Sequence, residues 1–597
     1  MFLFAGVANV SAQTAGQATE DFRKGAPQPL PARPINLPKP IETTLPNGMQ
    51  LVVVEDKRLP IATFRLVFRN GGASDPTEAP GLASFTAGML TQGTTTRSDK
   101  QIAAEVERLG ASLNASAGAD STIVAASSLS KYSNDALKLM ADVVLNPTFP
   151  QKQLDLQRQN AKQGLISQRA QPAFLAQERL AKVLYGSNPY SIVSTTPAVL
   201  DALTSEKLAA FYQQNYTPNT AVLIVVGDVN AANMRKETEN LFGKWAKGNS
   251  SSATVNFPAP PARTARGIYV VDRPGSAQSN IILANLAFDR SSPDFFAATV
   301  MNKILGGGAS GRLFMQLREK KDLTYGAYSN VDARRLAGSF QSSAEVRTPV
   351  TGVALKEFFS ELDRLRAESV SPQELIDAKN YLSGSFPIRL ETQEGLAAQL
   401  VNIKTYNLPA DYLTTYREKI NAVTASDVQR VANKYVTPQQ MAIVIVGDAA
   451  AITDQIKPFA QTIEYYDVQG KNKPTPIATP TATPTATTTG GTSAPVAIAG
   501  TWNLTVSSPQ GDLPITMTLK NESGKINGTT DSQLGQGTIE NGTINGNKVT
   551  LPVAVSFQGN PLQLTLNGTI EGNSMKGSLT SSVPGFPELT FTGTKAN

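Results

Sequence analysis

The chain has 597 residues, more than one hydrophobic core usually holds, so we expect several domains. It contains no His and no Cys, which excludes the common zinc ligands, disulfides, cysteine nucleophiles and His-dependent catalytic triads. The net charge of +6 is mild for this length and the basic residues are scattered, so nucleic-acid binding is disfavoured.

The N-terminus is typical of the end of a secretory signal peptide. Residues 1–12 hold a short apolar stretch that finishes in Val10-Ser11-Ala12, a small-residue cleavage site. The basic start of such a signal is missing, so we interpret residues 1–12 as a truncated signal peptide. We therefore expect an exported protein, periplasmic or extracellular. Residues 13–40 form a Pro-rich leader, and no other apolar run reaches the roughly 20 residues that a membrane span needs.

The first structured region is predicted to begin near Ile41. A turn at residues 45–49 precedes the apolar strand Gln50–Val54, and Ala62–Phe68 is the next strand. Ser98, followed three residues later by Gln101, is the signature of a capped helix start, and Gly110 is a helix stop. Strands and helices alternate to about residue 247. This pattern predicts an α+β lobe over residues 41–250.

The chain then repeats its own pattern. A Thr-Pro break followed by a buried strand ending in Gly-Asp occurs twice, and a spacing of 220 residues separates Pro218 from Pro438 and Asp228 from Asp448. A second lobe is therefore predicted over residues 267–468, joined to the first by a linker at residues 251–266. We predict two homologous lobes, each an antiparallel sheet with packed helices, arranged like a clamshell.

A third region follows the second lobe. Residues 469–499 are rich in Thr, Pro and Ala and are typical of a semi-rigid linker. From residue 500 to 597 the pattern is one of short alternating strands, and tight hairpin turns are predicted at four Asn-Gly pairs: Asn527-Gly528, Asn541-Gly542, Asn545-Gly546 and Asn567-Gly568. The sequence predicts a small all-β domain, either a sandwich or a barrel.

Residues 80–94 carry a motif frame whose functional groups are missing. The segment Pro80-Gly81-Leu82-Ala83-Ser84-Phe85-Thr86-Ala87-Gly88-Met89-Leu90-Thr91-Gln92-Gly93-Thr94 resembles the zinc site of pitrilysin/insulinase-family peptidases, which place His-x-x-Glu-His there. In that family two His bind zinc and the Glu is the general base. The resemblance puts the His positions at Ser84 and Gly88, the base at Ala87 and a later Glu ligand at Gly164. None of these four residues can do that chemistry, so we expect this chain to bind no metal.

The resemblance also implies a peptide-binding strand. Residues 110–115 are similar to the family strand beside which substrates lie in extended form, and Asn114 and Ala115 are its candidate contacts. An ordinary sheet strand explains the same residues equally well.

The second lobe retains a motif that the first lobe lacks. A Gly-rich run from Gly306 leads to Arg318 and Tyr325, which stand where the family has an Arg and a Tyr that reach across to the zinc site. A guanidinium and a phenol there would donate hydrogen bonds to substrate carbonyls and to the developing oxyanion. Surface pairing of Arg318 and packing of Tyr325 is the alternative. The Gly run lacks the Gly-Lys-Ser/Thr ending of a phosphate loop.

The resemblance implies a division of labour between two chains. Some bacterial members pair a zinc-bearing subunit with a degenerate one that keeps the Arg and Tyr. We expect this chain to be the non-catalytic subunit, inactive alone, with zinc in a homologous partner that cleaves peptides. Two alternatives stay open: a scaffold or peptide-binding pseudopeptidase without a role in catalysis, and a serine hydrolase using Ser128-Leu129-Ser130-Lys131, which lacks its companion Lys-Thr-Gly motif.

Overall fold

The computed structural model describes residues 36–248, 257–475 and 498–596, the last range without residues 509–510, 523–524, 533–534, 558–559 and 582–588. The described residues fall into two compact units, one that ends at residue 475 and one that begins at residue 498. The predicted signal peptide, most of the Pro-rich leader, and large parts of both linkers lie outside the described residues. Within the described part, no helix is both long and apolar enough to cross a membrane.

The first lobe is a six-stranded sheet with helices on both faces. The strand order is β1-β2-β6-β3-β5-β4, so β4 lies at one edge. Its strands are β1 (Ile41–Thr44), β2 (Gln50–Glu55), β3 (Ile61–Phe68), β4 (Ser112–Ala117), β5 (Thr122–Leu129) and β6 (Ala221–Gly227). Its helices are α1 (Leu82–Met89), α2 (Asp99–Arg108), α3 (Ser133–Leu145), α4 (Gln151–Arg169), α5 (Pro172–Tyr185), α6 (Pro197–Ala202), α7 (Ser205–Asn215) and α8 (Ala231–Phe242).

The second lobe repeats this plan with a seven-stranded sheet. The strand order is β13-β12-β7-β11-β8-β10-β9, which places β9 at the edge that corresponds to β4. Its strands are β7 (Gly267–Asp272), β8 (Gln278–Leu286), β9 (Thr324–Asp332), β10 (Ser339–Arg347), β11 (Ala442–Gly447), β12 (Thr462–Tyr466) and β13 (Asn472–Lys473). Its helices are α9 (Phe295–Leu305), α10 (Arg312–Phe314), α11 (Thr351–Ala367), α12 (Pro372–Arg389), α13 (Gln393–Thr405), α14 (Tyr412–Ala422), α15 (Ala425–Tyr435) and α16 (Ala449–Ile456).

The α+β class and the two homologous lobes are confirmed, with one correction to the sheets. Strands β2 and β6 pair in parallel, as do β7 and β11 and also β7 and β12, so both sheets are mixed rather than wholly antiparallel. The parallel pairs arise because the chain returns to the sheet through long helical connections. The 220-residue repeat is visible in the sequence, but the position at which each returning strand enters its sheet is not.

The lobes exchange equivalent helices. Helix α5 of the first lobe packs on β8 and β11 of the second, where Leu180 and Leu184 join one buried cluster with Ile282 and Val444. Helix α13 of the second lobe packs on β3 and β6 of the first in the same way. Each sheet is covered on its second face by a helix from the other lobe, so two of the buried apolar clusters contain residues of both lobes. These shared clusters stabilise the lobes against each other.

Local signals explain individual boundaries. Ser98 accepts from the Gln101 amide and the Gln101 side chain returns the bond, which confirms the predicted capping box at the start of α2. Gly110 follows α2 with a φ of 55°, a left-handed conformation that glycine adopts at low cost. Every residue of β6 is buried, because both faces of this central strand are covered.

The C-terminal unit is a closed eight-stranded antiparallel barrel, so of the two predicted alternatives the barrel is correct. Trp502 is fully buried inside it and donates its indole N–H to the Ile498 carbonyl oxygen at 2.9 Å. The strands are β14 (Gly500–Ser508), β15 (Gly511–Glu522), β16 (Lys525–Ser532), β17 (Gly535–Asn545), β18 (Lys548–Phe557), β19 (Asn560–Glu571), β20 (Ser574–Ser581) and β21 (Leu589–Lys595).

Candidate functional site

Helix α1 carries three of the four degenerate zinc positions, and a buried carboxylate holds its first turn. Asp75 accepts from the backbone amides of Gly81 and Ala83, each at 2.7 Å. These bonds satisfy helix N–H groups that have no partner within the helix. Burial raises the pKa of Asp75 to about 6, despite the favourable amide bonds to its charged form. The frame of the motif is therefore a well-capped helix.

The side chains at the zinc positions do not fit zinc. Ser84 is exposed, Ala87 is fully buried, and Gly88 is half-buried with its carbonyl oxygen accepting from Gln157 Nε2 on α4 at 3.3 Å. Gly164 lies two turns after Gln157, hence on the same face of α4, and a Cβ there would meet nothing within 4 Å. Among the described residues, no group of three or more Asp or Glu side chains could hold a metal ion.

Strand β4 lies beside α1 and forms one edge of the first sheet. It pairs with β5, with Asn114 opposite Ala125 and Ala115 opposite Val124. The Asn114 side chain is exposed, whereas Ala115 is half-buried and packs towards the lobe's core. An edge strand offers unpaired backbone groups, so β4 could accept an extended peptide as an additional strand.

Arg318 lies in an irregular helical segment. Residues Met315–Lys320, directly after α10, form a π-helix, a rare conformation that occurs frequently at functional sites. The Arg318 side chain is partly exposed; it donates to Glu319 Oε1 at 3.2 Å and its guanidinium lies 6.0 Å from the Phe314 ring centre. Its partner is an exposed neighbour rather than a buried carboxylate, which leaves the guanidinium free to reorient towards a ligand.

Tyr325 projects from the edge strand β9 into solvent, with 88 % of its surface exposed. Thr324 pairs with Val346 and Ala327 with Ala344, so Tyr325 and Gly326 together oppose the single residue Glu345. This two-against-one arrangement is a β-bulge, a feature that re-aims side chains and is common next to active sites.

Arg318 and Tyr325 lie in two elements of the second lobe that contact each other, the π-helix and the start of β9. Beside them lies an aromatic residue that the sequence did not indicate. Tyr328 is 46 % exposed and its ring lies 5.9 Å from that of Phe314. Gln157 was missed as well. Gln157 could have been found from the sequence, because it lies seven residues before Gly164 and therefore on the same helix face. The alternation of residues along the strand gave no reason to select Tyr328.

The geometry disfavours the serine-hydrolase alternative. Ser128 is buried and its hydroxyl donates to the Leu129 carbonyl oxygen at 3.1 Å. The Lys131 ammonium lies over the Tyr132 ring, 4.6 Å from its centre. A nucleophilic serine needs exposure and a base within hydrogen-bond reach, and this arrangement provides neither.

The comparisons with known proteins decide the family. The family model described as insulinase, peptidase family M16, matches residues 51–197, and the M16 inactive-domain model matches residues 202–382. The structure of an M16 inactive domain from Pseudomonas fluorescens is 30 % identical, covers 68 % of this chain and 98 % of its own, and superposes with a TM-score of 0.64. This chain belongs to peptidase family M16.

Two further proteins are similar to this chain. An uncharacterised zinc protease of Rickettsia felis is 27 % identical over 395 residues, which is 65 % of this chain and 93 % of the relative. A protease from Helicobacter pylori shares the fold with a TM-score of 0.65 at 23 % identity, covering 69 % of this chain and all of that one. The two family models together match residues from 51 to 382 of this M16 chain, so the match includes the segment in which the zinc motif was predicted and the segment that carries Arg318 and Tyr325.

Proposed function

We propose that this chain is the non-catalytic subunit of a two-chain M16 peptidase, exported to the periplasm or the cell exterior. It supplies Arg318 and Tyr325 to a homologous partner that holds the zinc and cleaves peptides. The observation that carries the proposal is the orientation of Tyr325. A phenol held on a bulge with 88 % of its surface in solvent contributes little to its own lobe, so its use lies with another molecule.

The missing zinc ligands support the same division of labour. Ser84, Ala87, Gly88 and Gly164 cannot bind or activate a metal, so a phenol that stabilises an oxyanion has no use unless another chain provides the reactive centre. The guanidinium of Arg318 and the Tyr325 hydroxyl are both donors, the type of group that binds a substrate carbonyl as negative charge develops on it.

The first test replaces Tyr325 and measures peptide cleavage. The chain is mixed with a homologous subunit from the same genome that carries His-x-x-Glu-His, and an internally quenched fluorogenic decapeptide reports cleavage. Tyr325→Phe should lower kcat of the mixture by about a hundredfold or more, because one oxyanion donor is lost.

Tyr381→Phe is the matched control, since it removes an exposed phenol from α12 of the same lobe, outside the candidate site. Full activity of the Tyr325→Phe mixture, with complex formation intact on a sizing column, would mean that the assigned role is wrong.

The edge strand β4 favours a second candidate, a peptide-binding pseudopeptidase or scaffold without a role in catalysis. Its exposed edge beside α1 is suited to an extended peptide. If this second function is correct, the isolated chain should bind a fluorescein-labelled peptide, as measured by fluorescence anisotropy. Substitutions of Arg318 and Tyr325 should then leave peptide cleavage by the mixture unchanged.

A further inference from the structure

The exposure of Tyr325 depends on the β-bulge and not on strand alternation. In a regular strand residues 325, 327 and 329 would share one face. Ala327 and Ser329 are both buried, so an unbulged strand would turn Tyr325 towards the interior of the lobe. The extra residue between Thr324 and Ala327 reverses this direction.

The side chain of Thr324 closes the bulge. Its hydroxyl donates to the Glu345 carbonyl oxygen on β10 at 2.6 Å and accepts from the Gly326 amide at 3.1 Å. A bulge leaves some backbone groups without the hydrogen-bond partners of a regular sheet. Here the Thr324 hydroxyl bonds to a carbonyl oxygen on β10 and to an amide on β9. The two bonds span the residue that carries the phenol.

Gly326 and Tyr328 complete the arrangement. A Cβ on Gly326 would lie 2.7 Å from Cε2 of Tyr328, so the tyrosine ring rests directly against the bulge backbone. The Phe314 ring also packs against Tyr328, with 5.9 Å between the ring centres. A ring in this place limits the access of water to the Gly326 amide, and hydrogen bonds shielded from water are stronger.

We propose that Thr324 is the positioning residue for Tyr325: its hydroxyl fixes the β-bulge that directs the phenol towards a bound peptide. This inference rests on the proposed function, because it requires Tyr325 to act on a substrate. Thr324 itself does not touch the peptide. It acts by keeping Tyr325 in one direction, and a displacement of about 1 Å at a transition-state contact can cost about a hundredfold in rate.

The test compares two substitutions of Thr324 in the full chain. Thr324→Val keeps the shape of the side chain and removes the hydroxyl, whereas Thr324→Ser keeps the hydroxyl and removes a methyl group. With the zinc-bearing partner and the fluorogenic decapeptide, Thr324→Val should lower kcat on the order of ten- to a hundredfold with a smaller change in KM. Thr324→Ser should stay within about twofold of the unchanged mixture.

Hydrogen exchange of the Gly326 amide gives a second measurement, made on the isolated chain. This amide should exchange faster in Thr324→Val than in Thr324→Ser, because only the valine variant lacks the acceptor. Full activity of Thr324→Val, with or without faster exchange, would overturn the positioning role. A failure of the proposed function would be seen in a different variant, because the mixture with Tyr325→Phe would then keep full peptidase activity.

Discussion

At the scale of single residues, the predicted zinc-motif positions carry small or polar side chains that cannot bind zinc. The helix that carries three of them nevertheless keeps its N-terminal cap and its packing. Gly164 faces open space and Gly88 would bring a Cβ no closer than 3.4 Å to Gln157 Oε1. Larger side chains are therefore compatible with the backbone at both positions, and helix propensity also favours them over glycine.

This geometry predicts that zinc binding can be restored. The combination Ser84→His, Gly88→His and Gly164→Glu supplies two imidazoles and a carboxylate from the faces of α1 and α4 that meet at Gln157. We expect about one zinc per chain after dialysis, measured by atomic emission, against none for the natural chain.

A matched control comes from the residue of the second lobe that lies one repeat length, 220 residues, after Gly164. Gly384 lies 220 residues after Gly164, and it too has nothing within 4 Å of a Cβ. A variant with Ser84→His, Gly88→His and Gly384→Glu, in which Gly164 is kept, should not bind stoichiometric zinc. Stoichiometric zinc in the unaltered chain would contradict the view that its site is lost.

At the scale of elements, a buried ion pair supports the segment that carries Arg318. Arg312 on α10 donates through Nε and Nη2 to the two carboxylate oxygens of Glu374 on α12, at 2.6 and 3.0 Å. The Arg312 side chain is 7 % exposed and that of Glu374 is 30 % exposed. Because the π-helix follows α10 directly, this pair fixes its starting point against α12.

This ion pair should make stability depend on pH. Hydrogen bonding from Arg312 lowers the pKa of Glu374 from 4.5 to about 2. A carboxylate with a lowered pKa stabilises the fold fully above its unfolded value, and that contribution is lost as the pH falls from about 4.5 towards 2. Glu374→Gln should therefore lower the free energy of unfolding by about 1–3 kcal/mol at pH 7.

The glutamine variant keeps the helix cap, since Gln also serves at this position of a capping box. The difference in free energy of unfolding between the natural chain and Glu374→Gln, measured by urea titration, should shrink below pH 4.5. A difference that stays constant down to pH 3 would argue against the charged pair as its cause.

At the scale of the whole peptidase-like unit, a buried polar junction joins the lobes where the loops after β4 and β9 meet. Asp120 of the first lobe accepts from the Tyr190 hydroxyl and, at 3.1 Å, from the Arg335 amide of the second lobe. Burial and the nearby carboxylate raise the pKa of Tyr190, so its phenol remains a donor over the physiological range. The edge strands that carry Asn114 and Tyr325 thus end at one shared contact.

A double-mutant cycle can measure this junction. Asp120→Asn and Tyr190→Phe should each lower the free energy of unfolding by about 1–3 kcal/mol, because each leaves a buried polar group without its partner. The double variant should be more stable than the sum predicts, with a coupling energy of about 1 kcal/mol in urea titrations. Strict additivity would show that the two residues act independently.

The candidate site was predictable to the extent that it depends on residue types. The absence of ligands at Ser84, Ala87, Gly88 and Gly164 follows from chemistry that no tertiary contact can change. The choice of Arg318 and Tyr325 came from their spacing within a family frame, and their roles stay predictions. The sequence could not give the direction of Tyr325, since one extra residue in a strand reverses a side chain and leaves composition unchanged.

The absence of zinc-binding side chains at the motif positions and the 220-residue repeat could be read from the sequence itself, because each depends on local residue types or spacing. The predicted Asn-Gly turns were mostly wrong: only Asn545-Gly546 lies at a turn, whereas Asn527-Gly528, Asn541-Gly542 and Asn567-Gly568 lie within β16, β17 and β19. Tertiary structure decided the mixed sheets, the closure of the barrel and the exchange of α5 and α13. An amphipathic helix specifies that one face must be buried but not which sheet buries it. That choice is made by contacts between residues far apart in the chain, and it gives the two lobes shared apolar clusters.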